Sequence, residues 1–357
     1  MKKTSLIALI MIFWLTQLPP FGGTEGGCQD IHFSQFHQTP LLINPALTGV
    51  FNGDMRAILN YKDQWRSIAV PYKTFALSYD MAMFRDKWKN GYLGGGLYLF
   101  RDQAGEFNMG ITQVNVSVSG IVPITKNNAV SAGLQGGFSQ RSIDYSKLEW
   151  GSQFDGTKYN PSIDPGEGSD FNSFGFGDLT AGVLWNYGKS KTSVASELEF
   201  KAQAGAAFFH VNKPRWKFYS SGEEKLYSKI VVHGGLYIGL KNTNLALIPS
   251  GLFFKQGPSK EINAGMQIRY MLKPQSKYTG FVKETAVLFG GHFRSGDAFI
   301  PSFMIEIANY AIGISYDVNI SGLKEVSNGK GGIEISMRYI NPNPFKYGKG
   351  IKGTPML

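Results

Sequence analysis

Metal binding, acid–base catalysis and phosphate binding each require a recognisable spacing of side chains. In this chain the residues to inspect are five histidines, one cysteine, one acidic loop and a glycine triplet. The stretch HFSQFH sets His32 and His37 five apart in a segment expected to be a loop, and no cysteine or carboxylate stands at zinc-ligand spacing from either. His210, His233 and His292 are equally isolated. Cys28 is the lone cysteine, so no internal disulfide can form. The run DPGEGSD at 164–170 is oxygen-rich enough for weak calcium binding and equally suits a solvated loop. Gly94, Gly95 and Gly96 fall inside strand-like alternation, so they relieve crowding rather than cradle a phosphate. A lipid-hydrolysing barrel needs a serine and a histidine on neighbouring strands at the bilayer edge. His292 has serines near it, but no pattern singles out such a pair. No metal, cofactor or catalytic residue is expected, and the chain is not expected to be an enzyme.

Partner binding is better represented. Two insertions, at about 141–173 and 211–228, carry Trp150, Phe154, Tyr159, Phe171, Trp216, Phe218 and Tyr219. Large aromatics dominate interface energetics when buried against a partner, and Arg215, with Lys158, Lys213 and Lys217, adds positive charge for steering. The same side chains can instead fold loop onto loop and cap the molecule. Sequence leaves both readings open.

The elements that carry these loops are strands. In IEISMRYI, residues 333–340, Ile333, Ile335, Met337 and Tyr339 alternate with Glu334, Ser336 and Arg338. The same period of two recurs through Phe75–Met83, Val114–Val118, Leu179–Tyr187, Ile262–Tyr270 and Ile312–Val318. About fourteen strands can be placed, at 54–62, 73–84, 91–103, 107–122, 128–140, 174–187, 193–210, 229–240, 244–255, 260–272, 283–295, 299–307, 310–320 and 330–340. Composition agrees, with 44 glycines, 14% aromatic and only 17% charged residues. The polar edges are rich in Asn, Gln, Ser and Gly, which suits a crowded wet interior. Trp65, Tyr72, Trp88, Tyr92, Tyr187 and Tyr270 stand at strand ends, where membrane-interface belts sit. The expected fold is all-β, a transmembrane antiparallel outer-membrane barrel, although a soluble β-sandwich shares the alternation. An even strand count puts both barrel ends on the periplasmic side and both long insertions outside; both termini are accordingly expected in the periplasm.

The flanks are not barrel. Lys2, Lys3 and about ten apolar residues at 6–15 form a secretory signal, too short to span a membrane. Residues 1–28 are expected to be removed by cleavage after Cys28, with lipid attachment at Cys28 as the alternative. Residues 29–53, which contain Pro40, Pro45 and Gly49, are expected to be irregular and to enter the barrel lumen or line its periplasmic mouth, or else to form a flexible leader. The barrel proper spans 54–340, and 341–357 is a Pro/Gly/Lys-rich tail expected in the periplasm. The net charge of +10 is spread along the chain without a compact basic block. That favours anionic lipid or an acidic partner over nucleic acid.

Several stretches together carry a family resemblance. QDIHFSQFHQTPLLINPALTG at 29–49 is followed by LNYKDQWRSI at 59–68 and KTFALSYDMAM at 73–83. Within them stand Asn44, Pro45, Gly49, Asn60, Tyr61, Gln64, Trp65, Tyr79 and Asp80. Together with later pieces such as FHVNKP at 209–214, they resemble the PorP/SprF family of type IX secretion system membrane proteins, with Lys62 where that family often has Arg. The resemblance implies an outer-membrane barrel that binds, anchors or helps export a secreted surface protein such as an adhesin. It also implies contact with the periplasmic ring, the motor or lipoproteins of that system. A passive porin-like channel or transporter remains the alternative.

Overall fold

The computed structural model describes residues 30–341 except 69, 86–87, 89, 106–107, 145–147, 165, 167–172, 190–198, 217–224 and 274–283. The expected signal segment, and the tail beyond Asn341, lie outside the described residues. The described residues form fourteen strands: β1 Met55–Gln64, β2 Tyr72–Met83, β3 Tyr92–Ala104, β4 Met109–Pro123, β5 Asn128–Ser142, β6 Phe174–Lys189, β7 Phe200–Phe209, β8 Lys229–Gly239, β9 Leu245–Gln256, β10 Ser259–Lys273, β11 Thr285–Arg294, β12 Ala298–Ile307, β13 Tyr310–Asn319 and β14 Lys330–Asn341. Each strand pairs antiparallel with its chain neighbours, and β1 pairs with β14 to close the barrel. Closure is what lipid demands, because an open edge would leave N–H and C=O groups without partners in hydrocarbon. Among the described residues no helix is long and apolar enough to cross a membrane.

Register sorts the faces. Lys62 lies opposite Glu334 and Asn60 opposite Ser336 across the closing seam, with Tyr61 and Ile335 paired on the other face. Glu334 and Ser336 are buried within the barrel, whereas Ile333, Ile335 and Met337 are exposed on its wall. Phe75, Leu77 and Tyr79 of β2, and Val114, Val116 and Val118 of β4, are likewise exposed. A two-residue period therefore places the apolar set against lipid tails. Tyr92 departs from the expected belt: it is buried and its hydroxyl meets Gly49 O inside the barrel. A strand end does not reveal parity, and Tyr92 falls on the inward phase of β3.

The interior is filled by the chain's own N-terminal segment. Residues 30–53 form two single 3-10 turns, Phe36–Gln38 and Pro45–Leu47, flanking a one-turn helix Pro40–Ile43. This plug starts at Asp30, beside His210, Lys229 and Gln256, where the long loops after β5 and β7 emerge. It finishes at Gly53 and Asp54, beside Ile340 and Asn341 at the opposite end. The first and last described residues therefore lie at opposite ends of the barrel. The strand count is even, as expected, and the plug's own crossing sets residue 30 at the loop end; both termini lie outside the described residues.

The wall is shaped for this passage. A Cβ on Gly94 of β3 would stand 2.2 Å from Thr48 O, and one on Gly133 of β5 would stand 2.4 Å from Pro45 O. Glycine at 94 is thus required by the plug's backbone, a more specific cause than general crowding. Gly94→Ala should lower barrel stability by about 1–3 kcal/mol through overpacking against an unyielding backbone, whereas Gly120→Ala, with nothing within 4 Å of its Cβ, should change it little. Thermal unfolding followed by heat-modifiable gel mobility would measure the contrast.

Candidate functional site

Three anchors hold the plug, and each draws on residues that strand parity directs inward. The middle anchor is Asn44. Its Oδ1 accepts from Ala46 N–H at 2.8 Å and so starts the turn Pro45–Leu47. Its Nδ2 then faces the Val183 carbonyl at 3.0 Å, the Ala206 carbonyl at 3.3 Å and His233 Nε2 at 3.1 Å. One side chain thus ties the plug to β6, β7 and β8. Downstream, Ser131 Oγ donates to Ala46 O and Ser119 Oγ donates to Thr48 O, which ties β5 and β4 to the same turn.

The second anchor stands where the plug turns into β1. Gly49 adopts φ 71, a left-handed conformation that disfavours a side chain, and its N–H donates to Asp80 Oδ2 at 2.8 Å. The other donors to Asp80 come from Arg56, whose Nε meets Oδ1 at 2.9 Å and whose Nη2 meets Oδ2 at 2.8 Å. This bidentate pair is fully enclosed, with Asp80 at 0% exposure. Arg85 stacks over the Tyr92 ring at 4.6 Å and donates to the carbonyls of Gly49, Phe51 and Gly53.

The third anchor is ionic and lies at the loop end. Asp30 Oδ2 meets His210 Nε2 at 2.8 Å and Lys229 Nζ at 3.4 Å, while Gln256 Nε2 donates to its Oδ1 at 3.2 Å. His210 Nδ1 faces Asp178 Oδ1 at 2.9 Å, so the imidazole bridges two carboxylates and donates from both nitrogens. Burial opposes the imidazolium, but Asp30 and Asp178 outweigh it and raise His210 to about 9. Burial also opposes the charge on Asp30, yet Lys229 and His210 hold that carboxyl well below the usual range. Slightly deeper, Glu334 accepts from the backbone N–H groups of Ser34 at 2.7 Å and Gln35 at 2.9 Å, and Ser34 Oγ donates to Asp317. Beside these contacts is a small, partly open cleft lined by Ile31, Leu42, Tyr98 and Phe100, where Ile31 and Leu42 pack against the cluster that holds Tyr98 and Phe100.

The residues of the resemblance divide into two sets. Asn44, Pro45, Gly49 and Asp80 come together at the plug. Asn60 is lumenal and buried. Tyr61 and Tyr79 face outward, Gln64 closes β1 opposite Tyr72, and Trp65, at φ 61, packs edge-on against Tyr72 at 5.0 Å. The loop aromatics are not one patch. Phe154 and Tyr159 pair across a tight bridge and are exposed. Trp150 caps the short turn Gly151–Gln153. Arg215 bridges to Lys225. Trp216 packs on Phe176 at 5.6 Å and Phe174 at 6.0 Å under the Arg141 guanidinium. Of the two readings left open for these aromatics, Trp216 takes the packed one, against the ends of β5 and β6. Phe171, Phe218 and Tyr219 lie outside the described residues, as does most of the acidic loop at 164–170. His292 points into the lumen, its Nε2 2.9 Å from Ser250 Oγ. The serine is on β9, two strands from β11, and neither residue is at the bilayer edge. Among the described residues no three His, Cys, Asp or Glu side chains are grouped to hold a metal.

Arg56 and Arg85 were not singled out by sequence, and Asp30, His210, His233 and Glu334 were not assigned a role in anchoring the plug. A charged or imidazole side chain on the inward phase of a strand was the available signal for Arg56, His233 and Glu334.

Arg56→Ala would strand the enclosed Asp80 carboxylate and should cost about 3–5 kcal/mol. Arg66→Ala, which removes an exposed guanidinium from the buried Asp63 but leaves it the Tyr61 hydroxyl, should cost less. Chemical denaturation in one detergent compares the two. The loop-end anchor carries its own pH signature. With a raised pKa, His210 contributes fully below its ordinary value near 6.5 and loses that contribution as pH rises through about 9. With a lowered pKa, Asp30 contributes above about 4 and fails only in strong acid. Stability should thus fall between about pH 6.5 and about 9 in the native chain and level off above that, and His210→Gln should abolish the drop.

Comparison with known proteins gives the context for this geometry. No curated protein matches the chain. Among solved structures the barrel is similar to the CymD monoaromatic hydrocarbon channel, at 12% identity over 88% of this chain and 95% of that one, with a TM-score of 0.43. It is also similar to the TodX deltaS2S3 mutant monoaromatic hydrocarbon channel, at 8% identity over 84% and 93%, with a TM-score of 0.43. A third is BamA from Haemophilus ducreyi lacking POTRA domains 1-3, at 11% identity over 81% and 70%, with a TM-score of 0.39. Likeness at this level carries no argument about what the chain binds or passes. Family membership rests on sequence: the family described as type IX secretion system membrane protein PorP/SprF matches residues 26–339, and this chain belongs to it.

Proposed function

We propose that this outer-membrane barrel is a plugged docking element of the type IX secretion machinery. It holds a secreted surface protein at the end bearing the long loops and meets periplasmic components of the system at the other end. The observation that carries the reading is the filled lumen. A segment anchored at Asp30, Asn44 and Gly49 occupies the axis that a porin keeps open, which leaves the two ends of the barrel as its working surfaces. The loop end offers exposed aromatics, Phe154 and Tyr159 among them, next to Lys158 and Lys213. Rigid aromatics beside dispersed positive charge suit a polypeptide partner better than a small solute. The family supports a secretion role, and no catalytic step is part of this reading.

The plug also weighs against the porin alternative. Reconstituted at neutral pH, the full-length barrel should show little steady conductance; a large, steady open current would favour the porin. For docking, detergent-solubilised barrel should capture secreted type IX cargo from culture supernatant. Deleting 211–228, or the milder pair Phe154→Ser and Tyr159→Ser, should weaken capture by about tenfold or more, the scale of one lost interface anchor. Unchanged capture by both variants would overturn the loop-end assignment.

A further inference from the structure

Of the five histidines, His32 and His37 are carried by the plug, and His233 and His292 face it from β8 and β11. Only His210 is bracketed by two carboxylates. The polarity of the Asn44 contact is fixed by its neighbours. Because Oδ1 accepts from Ala46 N–H, Nδ2 can only donate, and His233 Nε2 must accept at 3.1 Å. A second ring proton on His233 would set two donors head to head. Rotating the amide offers no escape, since Oδ1 would then face the Val183 and Ala206 carbonyls.

The upstream half of the plug has the same property. The His37 ring lies nearly parallel to His292, with centroids 5.8 Å apart, and Phe36 packs edge-on to both. Neither His37 nitrogen has a hydrogen-bond partner among the described residues. Burial, then His292 and Arg338, hold His37 down at about 3. Burial, then Lys62 of β1, Arg294 of β11 and Lys229 of β8, hold His32 well below its ordinary value. The carboxylate opposing them is Glu261 of β10, at 3.7 Å from His32 Nδ1. Glu334 of β14 and Asp317 of β13 are already engaged by Ser34 and Gln35.

We propose that the plug is an acid-releasable stopper, which gives the barrel a second activity as a proton-gated pore. Protons on His32, His37 and His233 are accommodated once residues 32–48 leave their seat, and the vacated lumen then passes small hydrophilic ions. The activity is separate from cargo docking and holds whichever end docks. Each histidine that charges only after release favours the released state about 30-fold at pH 5 relative to neutral pH. His210 opposes them by roughly tenfold over the same range, because its anchor tightens in mild acid. The three together outweigh that opposition.

Full-length protein in planar bilayers with potassium chloride on both sides tests this. The expected result is near-silence at pH 7.5 and reversible opening at pH 5.0. The double variant His37→Phe/His233→Gln keeps a stacking ring at 37 and an acceptor at 233 but removes both protons. It should open at least about one pH unit lower, and each single variant should fall between. Amide exchange of residues 36–48, corrected for intrinsic rate, should rise at pH 5.0 in the native chain and not in the double variant. A native barrel that stays silent at pH 5.0 with unchanged exchange overturns the proposal. So does a double variant, folded by gel mobility, that opens at the same pH as the native chain.

Discussion

Backbone closure in lipid is the constraint on which everything else in this molecule depends. Hydrocarbon offers no hydrogen bonds, so the sheet must close on itself, and fourteen strands joined through the β1–β14 seam achieve that. Closure creates a second problem. The two-residue period that turns Leu77 or Val116 towards lipid turns Asp80, Asn115 or Glu334 inward, and an interior lined with polar groups must be either flooded or filled. This chain fills it with the residues that precede β1.

The filling is built as a polar fit rather than an oily one. Apolar contacts exist, as where Phe36 and Ile43 meet Phe209 and Val231, but register is set by directed bonds. Asn44 satisfies backbone carbonyls of two strands, Asp80 gathers Arg56 and the Gly49 amide, and Glu334 receives two successive amides. Such bonds have one correct geometry each, so the segment has one seat. Buried charges cost desolvation and are weak evidence for stability by themselves; here their value is in specifying where the segment lies. Glycines in the wall complete the seat by admitting the plug's backbone to close range.

On the docking role proposed above, this arrangement puts the working surfaces at the ends. In that proposal, a lumen crossed by its own polypeptide leaves the loop surface and the turn surface for partners; the chain's membership of a secretion-system family is consistent with this. The loop surface is itself divided. Trp216 belongs to a packed cluster with Phe174, Phe176 and Arg141, whereas Phe154 and Tyr159 are presented to solvent. Aromatic residues in loops therefore serve two ends here, one stiffening the loops and one available for contact.

Strand number, strand position and facing were legible from the chain because a period of two is a local property: neighbours along the sequence dictate it. The expected strands agree with the observed ones to within a few residues, except that β7 begins at Phe200 rather than near 193. The clustering of Asn44, Pro45, Gly49 and Asp80 was legible only as a resemblance, without the reason for it. What tertiary structure alone decided is which distant groups meet. Asp30 reaches His210 across 180 positions and Ser34 reaches Glu334 across 300, and no spacing along the chain encodes such contacts. The path of the plug, and with it the opposite placement of residues 30 and 341, likewise follows from packing inside a closed wall. Local periodicity determines the wall, and the closed interior, with its fixed donors, acceptors and glycines, determines what lies within it.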